Sequence, residues 1–444
     1  MTCERTLKDS GVSWLGSLPE DWAAVPLKQR TTLVSRGRSP DYADDDEGVP
    51  IVNQACIYWD GIRYENVKWQ RRSTLSGERG RLRYGDLLVN STGTGTLGRA
   101  TLLDRTGEFL ADSHVTVVRT TREASGSFLR YVLQTETYQG YLYSVLAPGA
   151  TNQIELSREG LRRTPFPMPR VDEQRAIASF LDRKTAAIDA LIAKKERLIE
   201  LLQEKRQALI TQAVTSGLDP SVPMKKSGLS GFGNVPSHWT VSRVRYEARL
   251  VSKGTTPSTV GRELTTAGVR FLKAENLLDG AVRPDPEFYI DEQTDRLLQR
   301  SRLKSHDLLI VIAGATTGKS AVLPPAFLPS NTNQAVCFVR LKETTFAPFL
   351  RAFFSTRYIQ DLVWLSAVQA AQPNLSMENI RTFPCLVPPT DEVNRIVAYL
   401  ADVEQRSALL TGAARAQVEK LREYRQVLIT AAVTGKIDVS KEAA

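Results

Sequence analysis

The chain has 444 residues, is 42% hydrophobic, and carries 58 Lys and Arg against 49 Asp and Glu, a formal net charge of +9. At ~150 residues per domain this is roughly three domains' worth of chain, with too much apolar content for disorder and a positive balance that favours an anionic partner such as nucleic acid. Four cysteines without a CxxC pair, and histidine only at His114, His238 and His306, argue against a disulfide framework and a zinc site. No apolar run approaches the ~20 residues of a bilayer span. The opening MTCERTLKDSGVSW has no signal-peptide layout, so a reducing cytoplasm is the expected compartment, with no membrane association.

Along the chain, β-like runs fall at residues 49–52, 86–90 and 115–119, followed by an amphipathic helical stretch at 128–146. Pro165-Phe-Pro-Met-Pro169 reads as a stiff linker that stops any preceding element. Beyond it, Ile177, Phe180, Leu181, Ile188, Leu191, Ile192, Leu198, Ile199, Leu202 and Leu209 keep helix spacing with heptad character. Gly217 is the stop signal. A helix over residues 184–215 would be ~48 Å long.

The same order then recurs. SGVSWLGSLPEDW (10–22) returns as SGLSGFGNVPSHW (227–239), GDLLVNSTG (85–93) as HDLLIVIAG (306–314), and RQALITQAVT (206–215) as RQVLITAAVT (425–434), the last at eight of ten positions. The offset drifts from 217 to 221 and settles at 219, as loop insertions would cause. The expected fold is therefore α+β: two repeated globular domains, 1–169 and 220–388, separated by two long helical regions, 170–219 and 389–444. One apolar stripe cannot stay in water over such a length, so the helices should pair as an antiparallel coiled coil with pseudo-two-fold symmetry.

Segments of catalytic appearance are weak. Gly93-Thr-Gly95-Thr-Leu-Gly98 fits GxGxxG, but its counterpart Gly314-Ala-Thr-Thr-Gly318-Lys-Ser lacks the middle glycine and is one residue short of a P-loop. A nucleotide-dependent enzyme using residues 93–98 or 314–320 is the alternative these loops leave open. No [DN]PP[FY] tetrapeptide for an extruded base occurs. The acidic groups Asp285, Glu287 and Asp44-Asp45-Asp46-Glu47 have no fitting partner in the other half. No catalytic residue and no cofactor is expected.

Base reading needs basic and amide side chains on loops, with small hydroxyls for phosphate. Four places offer these in both halves: Arg36, Arg38 and Ser39 with Lys253, Thr255 and Thr256; Asn53 and Gln54 with Lys273 and Asn276; Thr92, Thr94, Thr96 and Arg99 with Thr316, Thr317 and Lys319; and Asn152 and Gln153 with Gln372 and Asn374. A denser basic run, Arg71, Arg72, Arg79, Arg81 and Arg83, has no counterpart of equal charge.

GSLPEDW at 16–22, GDLL at 85–88, PRVDEQRAIASFLD at 169–182, and the LIT helix ends at 209–211 and 428–430 carry a resemblance. The chain resembles the specificity subunit of type I restriction-modification systems over nearly its whole length. In the second copy Glu392-Val393 replaces Glu173-Gln174, and His306 stands where Gly85 does. The resemblance implies two target-recognition domains on double-stranded DNA, a helical spacer, no catalysis by the chain itself, two docked DNA-adenine methyltransferase subunits, and restriction-translocase subunits joining them. It further implies an asymmetric, bipartite site. The ~48 Å helix, at ~3.4 Å per base pair, then spans ~14 base pairs and puts the half-sites about one helical turn apart.

Overall fold

The computed structural model describes residues 5–43, 48–75, 77–147, 154–367 and 374–439. By contact density the chain divides into two compact units. The first joins the described residues up to Glu196 to those from Arg415 onward, and the second is 197–414.

In the first unit an antiparallel sheet runs in the order Ala100–Leu102, Leu87–Asn90, Val115–Thr120, Thr31–Arg36. A second sheet places Val49–Val52 between Leu110–Ala111, parallel to it, and the antiparallel Lys68–Gln70. The three strands expected from sequence are present, because runs such as VTVV and VPIV alternate or fully bury β-branched side chains between two layers. Leu88, Val115 and Val117 of one sheet meet Val52 and Ala111 of the other, with Cys56 and Ile57 from the turn that follows, in one buried cluster.

Two expectations are corrected. Residues 165–168 are no linker: Pro165–Met168 is a strand paired antiparallel with Ala23–Pro26. A two-stranded ribbon tolerates proline because half of its backbone N–H groups point away from the partner. The helical stretch 128–146 is broken into Gly126–Leu133 and Glu136–Tyr141, the latter running into a π-turn at Leu142–Leu146. The break sits at Thr135, whose side chain caps the second helix by accepting from the Tyr138 N–H.

The second unit repeats this arrangement strand for strand. Its four-stranded sheet is Ala248–Lys253, Val336–Leu341, Leu308–Val311, Ser320–Val322, and its three-stranded sheet is Tyr289–Ile290, Val269–Leu272, Ser330–Thr332. Thr240–Arg243 pairs with Pro384–Val387 as Ala23–Pro26 does with Pro165–Met168. A buried bidentate pair recurs in register, Asp86 with Arg119 and Asp307 with Arg340. Gly85 has φ +82° and His306, at the same place, φ +66°. The turn thus demands a left-handed residue, and histidine is one of the few non-glycines that enter that region.

The long helices are Val171–Ser216 and Thr390–Val433. The first has 46 residues and is ~69 Å long, so the ~48 Å stretch at 184–215 is only part of it. Its first turns are buried against the globular part, so their apolar pattern is wider than a heptad seam. In the first unit Ile177, Phe180, Leu181 and Ile188 share a core with Trp22, Phe128, Leu428, Ile429 and Val433. There the two helical segments run antiparallel, with Asp189 on Arg425 at 2.9 Å and Glu196 on Arg422 at 2.9 Å. Exposed pairs of this kind add at most about 1 kcal/mol each, whereas each buried aliphatic contributes about 1.5–3 kcal/mol. In the second unit Ile210 and Val214 pack with Val393, Ile396 and Leu400. Gly217 and Gly435 end the helices at φ +77° and +70°.

Candidate nucleic-acid interface

The loops singled out from sequence lie far apart in the chain and meet in space. In the first unit the Gly37 N–H bonds to Val115 O and the Arg38 N–H to Ala111 O, which brings 36–39 against 111–115. Asp112 N–H bonds to Val52 O, next to Asn53. Asn90 Nδ2 donates to Gln54 O at 3.0 Å and Thr92 Oγ1 to Gln54 Oε1 at 3.1 Å, which ties the 53–54 turn to the 92–98 loop. Thr92 bridges to Glu155, and Arg36 pairs with Glu155 and donates to Leu156 O. Asn152 and Gln153 lie outside the described residues, as do Gln372 and the acidic run 44–47.

The turns at 53–55 and 112–114 border a cavity of about 600 Å³ lined by Tyr42, Asn53, Gln54, Glu65, Lys68, Asp112 and His114; Arg36, Arg38, Ser39 and Thr92 do not reach its wall. Burial raises the Asp112 carboxyl above the usual carboxylate range, against the backbone N–H groups of His114 and Val115 that pull it down. Lys68 Nζ rests 4.5 Å from the Tyr42 ring centre.

The second unit builds the same recess from other side chains. Gly254 N–H bonds to Val336 O, Thr255 N–H to Thr332 O, and Ala313 bridges to Asn374. The cavity, about 890 Å³, is lined by Thr256, Arg262, Glu263, Lys273, Glu275, Thr316 and Asn333 among others. Lys273 Nζ stands 3.6 Å from the Phe288 ring centre.

Not every expected residue lines these recesses. Asn276 is 1% exposed. Its amide nitrogen donates to Arg283 O and Pro286 O and its oxygen accepts from Lys273 N, so it shapes the turn from within. Asn53, although on the wall of the first cavity, spends its amide on Ala55 N and Asn66 O. Thr96 and Thr317 close their own turns on Gly93 O and Gly314 O. Arg99 stacks 5.1 Å from the Tyr58 ring, and Lys319 lines a separate cavity of about 230 Å³ with Arg206 and Arg351. Ser39, Thr94 and Lys253 are exposed. In the basic run, Arg81 and Arg72 share Glu108, whose carboxyl they hold below its ordinary range. Glu287 is taken by Arg270 and Tyr289.

The loops of nucleotide-site appearance lead into strands, Ala100–Leu102 and Ser320–Val322. Neither therefore supplies the helix N-terminus on which a dinucleotide or P-loop site depends. Tyr42, Lys68, Asp112, His114, Arg262 and Asn333 were not picked out by sequence. Each is a lone residue in a strand or turn without a motif, and only the register of the repeat could have drawn attention to them.

Residues 253–420 match the family model described as the type I restriction modification DNA specificity domain. That segment is similar to the DNA specificity domain of type I restriction-modification systems. The chain is 21% identical, over 96% of both chains, to a Methanocaldococcus jannaschii protein described provisionally as the type I restriction enzyme MjaX specificity subunit. Two solved structures share the fold at 16% identity. One chain, from work on complex assembly and conformational transition of the type I R-M system, aligns with a TM-score of 0.74 over 95% of this chain and 99% of its own length. The HsdS subunit from Thermoanaerobacter tengcongensis aligns at 0.57 over 95% and 98%. Among the described residues no helix is long and apolar enough to cross a membrane.

Proposed function

We propose that this chain is the DNA-binding specificity subunit of a type I restriction-modification complex, reading an asymmetric, bipartite double-stranded site. Residues 1–169 and 220–388 act as target-recognition domains, one for each half-site, and 170–219 and 389–444 as the helical regions between them. Two DNA-adenine methyltransferase subunits dock on the chain, restriction-translocase subunits join them, and catalysis resides in those partners within the cytoplasm.

The observation that carries this reading is the recurrence of one recess with two linings. Equivalent loops converge in both units, yet the first presents Gln54, Lys68 and His114 and the second Arg262, Lys273 and Asn333. A repeated scaffold with unlike polar side chains suits two different base sequences. The test is binding of labelled duplexes by the chain with its methyltransferase partner. Affinity should depend on both half-sites and fall steeply as salt rises. Tight binding indifferent to sequence and salt would contradict it.

A further inference from the structure

We propose that Gln54 and His114 together read the major-groove edge of an adenine in the half-site of the first unit. This inference rests on the DNA-reading function above.

One hydroxyl sets both side chains. Thr92 Oγ1 donates to Gln54 Oε1 at 3.1 Å and lies 2.8 Å from His114 Nδ1. A hydroxyl has one hydrogen, here spent on Gln54, so Thr92 can only accept from the imidazole. Nδ1 therefore carries the proton of the neutral ring, and Nε2 is left as a bare acceptor. Gln54, with its oxygen turned to Thr92, keeps its amide nitrogen as a donor. The pair offers one donor and one acceptor to the same cavity.

The backbone around the pair is fixed. His114 N–H donates to Asp112 Oδ1 at 2.9 Å, and His114 O accepts from Ser91 N at 2.8 Å. Gln54 O accepts from Asn90 Nδ2. A Cβ on Gly93 would come within 2.9 Å of Gln54 Oε1, so the glycine permits the close approach.

Adenine's major-groove edge carries an acceptor, N7, beside a donor, the N6 amino group. Gln54 Nε2 suits the first and His114 Nε2 the second. Guanine would set two acceptors against this pair and thymine an acceptor with a methyl; cytosine has a donor alone. Of the charged residues on this cavity, Lys68 rests on Tyr42 and Asp112 on the His114 backbone, and Glu65 is the third.

The second unit is an internal control. Gln54, Thr92 and His114 correspond in register to Ala274, Ala313 and Ala335, all on the larger cavity. The turn is kept there, with Ala335 N–H on Asn333 Oδ1 at 3.2 Å and Ala335 O on Ile312 N at 2.8 Å. The scaffold thus folds with alanine at all three places, so the polar triad of the first unit serves recognition.

The experiment uses the full chain assembled with its methyltransferase partner, on duplexes carrying the motif that its cellular methylation pattern defines. Each adenine of the first half-site is replaced singly by purine, which lacks the N6 amino group, or by 7-deazaadenine, which lacks N7. At one adenine each analogue should weaken wild-type binding about tenfold. His114→Ala should erase the purine penalty there, Gln54→Ala the 7-deaza penalty, and the triple change Gln54→Ala, Thr92→Ala and His114→Ala both. Discrimination in the second half-site should be untouched, which shows that the variants fold. Penalties that persist unchanged in the triple variant would overturn the inference while leaving DNA reading intact, and so would relaxation at a cytosine instead. A wild-type complex with no sequence preference would overturn the DNA-reading function itself.

Discussion

The indole N–H of Trp22 donates to Glu173 Oε2 at 3.2 Å, fastening the opening of the first globular part to the first turn of the long helix. Trp239 repeats this with Glu392 at 3.0 Å, where His238 Nε2 also meets the carboxylate at 2.7 Å. Both indoles are almost wholly buried. Glu173→Ala should leave a buried donor unsatisfied and cost about 1–3 kcal/mol. Glu173→Gln, which keeps an acceptor, should cost less. Amide hydrogen exchange around Trp22 reads the local loss; equal protection in the wild type and both variants would contradict the assigned role.

Arg340 grips Asp307 through Nε and Nη2, and Asp307 is buried. Burial pushes the Asp307 carboxyl above its ordinary range, and the Arg340 hydrogen bonds pull it back. A carboxyl whose folded pKa is raised weakens the fold above that value, and stability returns as pH falls through it. Arg340→Ala should therefore cost about 3–5 kcal/mol near neutral pH, because it strands a buried charge. The deficit should shrink as pH falls from neutral and the carboxyl takes up a proton. Thermal unfolding at neutral and at mildly acidic pH checks the sign; a deficit that grows in acid would refute it.

Gly37 and Gly254 hold equivalent loops close to a neighbouring strand end. A Cβ would stand 2.1 Å from Ala111 O at the first and 2.0 Å from Thr332 O at the second. Gly254→Ala must push the 253–256 loop off its seat, at a cost of about 1–3 kcal/mol or more. Discrimination within the second half-site should be lost and that within the first kept, as competition binding with half-site mutants would reveal.

Burial pushes the thiol of Cys56 up to about 11 and those of Cys337 and Cys385 to about 12. In a Cys3→Ser background the native chain should react negligibly with an aromatic disulfide reagent at about pH 8 and release three thiols' worth of signal on unfolding. Rapid reaction of the native chain would contradict the packing around these residues.

Much of this architecture was legible because it is written twice. β-like runs located the strands at 49–52, 86–90 and 115–119, and the repeat pointed to both long helices. What escaped were features decided by tertiary partners. Pro165–Met168 looks like a linker until Ala23–Pro26 lies beside it. The helix at 128–146 breaks because Thr135 finds a capping bond to Tyr138 N. His114 carries no motif, and its meaning emerges only with Thr92 and Gln54 around it. Conversely, Asn53 and Asn276 have the right chemistry for base reading, but the fold spends their amides on its own turns.

The most direct test of the account is methylome sequencing of cells that express this chain with its methyltransferase partner, wild type against the triple change Gln54→Ala, Thr92→Ala and His114→Ala. The account predicts an asymmetric motif of two blocks separated by unread bases, and a variant motif relaxed in one block only. A continuous motif, or methylation that does not depend on this chain, would contradict it.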